Sequence, residues 1–212
     1  SRSKKAIRVM LKSKKVRLSI FFGILFFLVM LLVILGKTSN FDHLVYNTVI
    51  SFRNSVLDCY FITITKLANT LTIIFVVIFF ALIFRNRHSL FLIVSSIDCL
   101  LLTTIFKYLI GRNRPNVLKL IEQGGYSFPS GHTMFSVCIY GYLFYLAITK
   151  IKNKILRYSV SSLLLLVILS IGVSRIYVGV HFASDVLAGY LLGCCYLLFL
   201  IEVEEKFYLK RG

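Results

Sequence analysis

An all-α bundle of about six transmembrane helices is the fold this sequence predicts, and three observations predict it. Of its 212 residues 58% are hydrophobic and the mean hydropathy is +0.85, which does not suit a water-soluble globule. The apolar residues gather in stretches of the length a bilayer core demands, about 20 residues of helix per crossing. The basic residues gather between those stretches, in alternate connections.

The predicted spans are 18–36, 62–84, 89–110, 132–148, 155–173 and 185–201. A basic segment (Arg2, Lys4, Lys5, Arg8, Lys12, Lys14, Lys15, Arg17) precedes the first. That first run is long for the core of a secretory signal, and Gly36-Lys37-Thr38 is a poor cleavage site, so it reads as an uncleaved span. After it, Phe41, Leu44, Val45, Thr48, Phe52, Val56 and Tyr60 recur at helical spacing against Asp42, Asn47, Arg53, Asn54 and Asp58. An amphipathic helix lying in the interface gives this pattern; a plain packed connector gives it equally well. The third span carries Asp98, an acid that needs a polar partner, Asn69 or another polar residue of the bundle. Pro115 and Pro129, the two prolines of the chain, both fall between the third and fourth spans. The expected organisation is a basic N-terminal segment 1–17, a single membrane domain 18–201 and a tail 202–212, with no repeat or low-complexity linker.

A formal charge of +17 raises the question of nucleic acid, but its placement argues for topology instead. Arg85 and Arg87 lie between spans two and three; Lys150, Lys152, Lys154 and Arg157 between four and five; Lys206, Lys210 and Arg211 at the end. By the positive-inside rule these connections and both termini are cytoplasmic. Segments 37–61, 111–131 and 174–184 then lie at the outer face. No nucleic-acid partner is expected. The five cysteines, four of them within spans, lack metal-type spacing and read as inert thiols, with Cys59 alone on the outside.

Three motifs reach that outer face: Lys107-x6-Arg114-Pro115, Pro129-Ser130-Gly131-His132, and Ser174-Arg175-x5-His181-x3-Asp185. Lys107 alone would read as a snorkelling anchor at a span end. Of the two neighbouring arginines, Arg112 reads as the anchor, while Pro115 biases Arg114 towards an extended backbone that aims it at a site. Ser130 is a natural N-cap, and the amides behind it favour an anion. Gly131 permits close approach of the backbone to an oxygen, and His132 beside it is placed to give a proton to a leaving oxygen. His181 and Asp185, four residues apart, share one helical face. The carboxylate can fix the imidazole tautomer and leave the other nitrogen free to attack. Arg175 adds a bidentate guanidinium for phosphate. These are the parts of a phosphate-transfer site that works without a metal.

With every motif position filled over roughly residues 60–200, the chain resembles the type 2 phosphatidic acid phosphatase family, which shares its site with vanadium haloperoxidases. The resemblance implies His181 as the nucleophile that forms a phosphohistidine, Asp185 as its orienting carboxylate and His132 as the acid. It implies Lys107, Arg114 and Arg175 as the clamp on the non-bridging oxygens, completed by Ser130 and Gly131, with no metal ion and no cofactor. Small members with six spans resemble the bacterial phosphatidylglycerophosphatase B type. The implied partner is a phosphorylated lipid of the bilayer: phosphatidylglycerophosphate, undecaprenyl diphosphate or phosphatidic acid. The implied location is a bacterial cytoplasmic membrane with the site outside. A lipid phosphotransferase would use the same residues. A transporter with a phosphate site is the reading from another class, against which stands the gathering of ionisable residues at one face.

Overall fold

The computed structural model describes residues 13–84 and 87–207; most of the basic N-terminal segment, Arg85 and the end of the tail with Lys210 and Arg211 lie outside the described residues. Eight α-helices follow in order among those described: α1 (Lys14–Ile34), α2 (Ser39–Ile50), α3 (Ser55–Thr65), α4 (Thr70–Phe84), α5 (Arg87–Ile110), α6 (Gly131–Lys150), α7 (Lys154–Tyr177) and α8 (Ala183–Phe207). Five are long and apolar enough to cross a bilayer: Lys14–Ile34, His88–Ile110, Gly131–Lys150, Lys154–Tyr177 and Ala183–Lys206. Side-chain caps set several starts. Asn54 accepts from the Leu57 amide, Ser130 from Thr133 and Asn153 from Leu156, each satisfying a donor the helix leaves open.

The expected second span is not one straight helix. Ser55–Ala68 and Thr70–Leu82 form a candidate sixth crossing bent by 55°. A 3-10 turn at Lys66–Ala68 ends the first arm, and Asn69 takes an extended conformation before the second begins. Thr72 donates its hydroxyl to the Lys66 carbonyl at 2.7 Å, and the Asn69 carbonyl accepts from the Ile73 amide. These bonds satisfy the backbone groups that the break frees. Segment 37–61 likewise holds two helices rather than one, α2 and the start of α3, parted at Asn54. Phe41, Leu44, Phe52 and Val56 all point outward, as on an interfacial helix. Asp42, expected on its polar face, instead turns inward and is buried.

Helix α8 lies at the centre. It packs on α1 and α6, and Phe26 of α1 meets Phe106 and Phe128 edge-on and stacked. Side chains are pared away where α6 and α8 approach: a Cβ on Gly189 would stand 2.7 Å from the Ser130 carbonyl oxygen, and one on Gly193 2.8 Å from Val137 Cβ. Such small residues four apart let membrane helices touch backbone to backbone. Asp98 accepts from the Tyr196 hydroxyl at 2.6 Å, so its partner is Tyr196 and not Asn69. All five cysteines are free thiols; Cys99 and Cys138 are buried and Cys59 is exposed.

The bundle has two unlike ends. At one, Ser13 and Lys15 bind Glu202 and Glu205, tying α1 to the end of α8. At the other, the 111–130 segment folds back over the helix ends. Close packing at Gly189 couples the two levels of structure, so Gly189→Ala should destabilise the bundle by about 1–3 kcal/mol, the usual cost of overpacking. A lowered thermal unfolding midpoint in detergent would report it, and an unchanged midpoint would refute the close approach.

Candidate functional site

Gly111, with φ of 62°, ends α5 in a left-handed turn that only glycine adopts without strain. The chain then turns back, and the first side chain past the turn is Arg112. Its guanidinium gives Nη1 to Asp185 Oδ1 (2.6 Å) and Ser184 Oγ (2.8 Å), and Nη2 to Asp42 Oδ2 (2.8 Å). Its plane lies over the Phe182 ring at 4.0 Å. Arg112 is therefore not a membrane anchor, as its position in the sequence suggested, but the counterion of two buried carboxylates. Asp42 is fixed from the other side by the Ser184 amide and hydroxyl at 2.8 and 2.9 Å.

His181 sits in the turn between α7 and α8, ahead of the helix rather than within it as expected, and the four-residue spacing still brings it to Asp185. Its amide donates to the Arg175 carbonyl. Asp185 Oδ2 accepts from the Phe182 amide at 2.9 Å and lies 3.4 Å from His181 Nδ1. Arg114 places Nη1 at 3.1 Å from His181 Nε2. A guanidinium can only donate, so Nε2 carries the lone pair and Nδ1 carries the proton that faces Asp185. Burial holds the His181 ring well below the ordinary imidazole value, and the positive charges of Arg175, Arg114 and Lys107 push the same way. Burial also lowers Arg114 from the ordinary guanidinium value, partly offset by Asp185.

The remaining predicted residues surround this ring. Arg114 is held by the Gly124, Gly125 and Tyr126 carbonyls and by Val180, and Lys107 donates to the same Tyr126 carbonyl. Arg175 is wholly buried; Nη1 bonds Thr65 Oγ1 at 2.6 Å, Nη2 bonds Gln123 Oε1 at 2.8 Å, and Nε has no partner. His132 Nε2 meets Asn69 Oδ1 at 2.9 Å, on the bend between α3 and α4. Ser130 gives its amide to the Asp185 carbonyl, and its hydroxyl caps α6. Around Gly131 there is room: a Cβ would find nothing nearer than Thr103 Oγ1 at 4.0 Å, whereas the tight contact between helices falls on Gly189. All eight predicted residues thus meet at one end of the bundle. Thr65, Asn69, Gln123, Asp42 and Arg112 join them without having been predicted as site residues.

The charges do not balance within the protein. Arg112 takes both nearby carboxylates. Lys107, Arg114 and Arg175 bind neutral oxygens, Arg114 also the neutral ring, and none has a carboxylate within ion-pair distance among the described residues. Four formal cations against two carboxylates leave two positive charges, the complement of a phosphate dianion. A cavity of about 280 Å³ reaches His181 beside Asp42, Tyr46 and Asn116. Among the described residues no group of three or more His, Cys, Asp or Glu comes together as a metal site would require.

The PAP2 superfamily matches residues 88–208, a stretch that holds every motif residue, and the chain belongs to that family. Phosphatidylglycerophosphatase B of Bacillus subtilis (strain 168) is 36% identical over 111 residues, 50% of this chain and 53% of that protein, so the match spans about half of that relative's length. The crystal structure described as the first transmembrane PAP2 type phosphatidylglycerolphosphate phosphatase from Bacillus subtilis has the same fold. It superposes with a TM-score of 0.81 at 22% identity, covering 89% of this chain and 96% of that one. LpxE of Aquifex aeolicus superposes with a TM-score of 0.60 at 27% identity, covering 73% of this chain and 92% of its own.

Two outcomes follow from these geometries. Arg112→Gln should cost about 3–5 kcal/mol of stability, because it strands two buried carboxylates, whereas Lys107→Gln removes an unpaired cation and should leave the unfolding midpoint near wild type; equal losses would contradict the division of charge. His181 should stay neutral at pH 6.5 and gain its proton only as the pH falls further. The ¹⁵N shifts of its ring report this, and a charged ring at pH 6.5 would overturn it.

Proposed function

We propose that the chain is a lipid phosphatase that moves a phosphoryl group from a membrane lipid to His181 and then to water. The observation that carries this reading is the set of three unpaired cations, Lys107, Arg114 and Arg175, around a neutral imidazole whose lone pair faces them. A phosphoryl group spreads its charge over three oxygens during transfer, so fixed cations that need no rearrangement supply most of the stabilisation.

In the first step the His181 Nε2 lone pair forms a bond to phosphorus while the bond from phosphorus to the lipid oxygen breaks. The imidazolium that results keeps its Nδ1 proton towards Asp185, which Arg112 holds in place. His132 gives a proton to the departing oxygen, and Asn69 orients that ring through Nε2. In the second step the oxygen of water forms a bond to phosphorus while the bond from phosphorus to His181 Nε2 breaks and returns its electron pair to the ring; the water gives a proton to His132, and inorganic phosphate leaves. No step calls on a metal ion. The PAP2 relatives named as phosphatidylglycerophosphate phosphatases support a phosphorylated lipid as substrate, with phosphatidylglycerophosphate, undecaprenyl diphosphate and phosphatidic acid as the candidates. The gathering of Lys150, Lys152, Lys154 and Arg157 at the other end of the bundle supports a site facing away from the cytoplasm.

Purified protein in detergent with EDTA should release inorganic phosphate from at least one of these three lipids. His181→Ala should abolish release, and Arg175→Ala should lower it by about a hundredfold or more. Folded wild type that releases no phosphate from any of them, or a His181→Ala variant that remains active, would sink the reading.

A further inference from the structure

The end of the bundle remote from His181 holds a larger cavity, of about 600 Å³, between α4, α5, α6 and α7. It is of the size of a small-molecule site, roughly 300–1,000 Å³. Along α5 it lies roughly 27 Å from Lys107, counting Ser89 to Lys107 at the helical rise. Its walls are carbon: Phe80, Leu92, Leu146 and Leu164 among others. Two of the polar residues that line it, on α5, are turned aside. Ser89 donates its hydroxyl to the Phe80 carbonyl at 3.1 Å, and His88 is engaged with Glu204 at 2.7 Å and with Tyr142 at 2.8 Å. Water gains no stabilising partner in such a space.

Lys150 also lines the cavity, and the chain continues through Lys152, Lys154 and Arg157. Lys150, Lys152 and Lys154 are exposed, and none of the three forms an ion pair among the described residues. The sequence that builds the walls offers them no counterion: residues 59–97 and 123–184 contain no aspartate or glutamate. Glu204, the acid that approaches the cavity through His88, is buried and engaged with that ring and with the Tyr142 hydroxyl. An apolar chamber opening between membrane-spanning helices, with unpaired lysines at its mouth, complements one chemistry: an acyl chain joined to a negatively charged headgroup.

We infer that this cavity binds one acyl chain of an anionic phospholipid of the leaflet at the basic end, with its phosphate on Lys150 and its neighbours. The site stands apart from the phosphate cluster at the other end and does not depend on the catalytic reading.

Native mass spectrometry of the full chain tests it, with the protein released from detergent containing equimolar phosphatidylglycerol and phosphatidylcholine of matched chains. Wild type should retain phosphatidylglycerol with about fivefold preference, the effect of roughly one basic residue beside an anionic headgroup. Leu146→Trp, which fills the chamber, should lose the bound lipid. The surface variant Lys150→Glu/Lys154→Glu, which leaves the walls intact, should abolish the preference. Arg175→Ala should retain both lipid and preference. Equal retention of the two lipids by wild type, an unchanged preference in Lys150→Glu/Lys154→Glu, or loss of the lipid in Arg175→Ala would each overturn the site.

Discussion

Two carboxylates buried at one end of the bundle share a single guanidinium, and much else follows from how Arg112 is divided between them. A carboxylate taken out of water is costly unless paired and hydrogen-bonded. Asp42 comes from α2, Asp185 from the first turn of α8 and Arg112 from the chain just past α5, so neutralising the two charges also joins three separate parts of the fold. The Ser184 amide and hydroxyl complete the Asp42 shell, and the Phe182 amide and ring complete the shells of Asp185 and Arg112. Asp185 is thereby fixed beside His181. With both acids spoken for, the other cations of the cluster have no carboxylate within ion-pair distance among the described residues.

Much of this was legible in the residues. The lengths of the apolar runs located the crossings, and the three motifs supplied eight site residues that the fold brings to one end. Arg112 was misread because the sequence offers two arginines two residues apart, and spacing cannot say which one finds a buried acid. Asp42 was misread for a related reason. Its helix presents apolar residues outward, and helical periodicity cannot tell the water-facing side of an interfacial helix from a side turned to a buried arginine. The bend at Asn69 was hidden by hydropathy, which averages across a short polar interruption and returns one long span. The two glycines of α8 give no signal of their own until the partner helix is in place, since what they permit is a contact with Ser130 and Val137, far away along the chain.

The broken span has its own place in the cluster. Thr65, on the last turn before the break, bonds Arg175, and Asn69, at the break itself, bonds His132. Four residues apart, these two positions would lie one above the other on a straight helix; here the bend falls between them, and the deviation from regular structure is where α3 and α4 meet the site. The same residues satisfy their own backbone locally, which is what allows irregular chain at this depth.

The family match begins at residue 88 and takes in α5 to α8 with the eight predicted site residues; the chain before it reaches the cluster through Thr38, Asp42, Thr65 and Asn69. The two halves are held to different standards of precision. In the second, backbones touch at Gly189 and Gly193, and any added atom displaces the Ser130 carbonyl and with it the start of α6. In the first, α2 and α3 present broad outward faces whose side chains touch nothing that positions the imidazole. Residues such as Leu44, Phe52 and Val56, all exposed, can change in size and polarity without shifting the clustered histidines and cations. The molecule is thus a closely fitted half beside a half whose outer surface is open to remodelling, an arrangement in which the exposed face can diverge while the packing that gathers the histidines and cations is left alone.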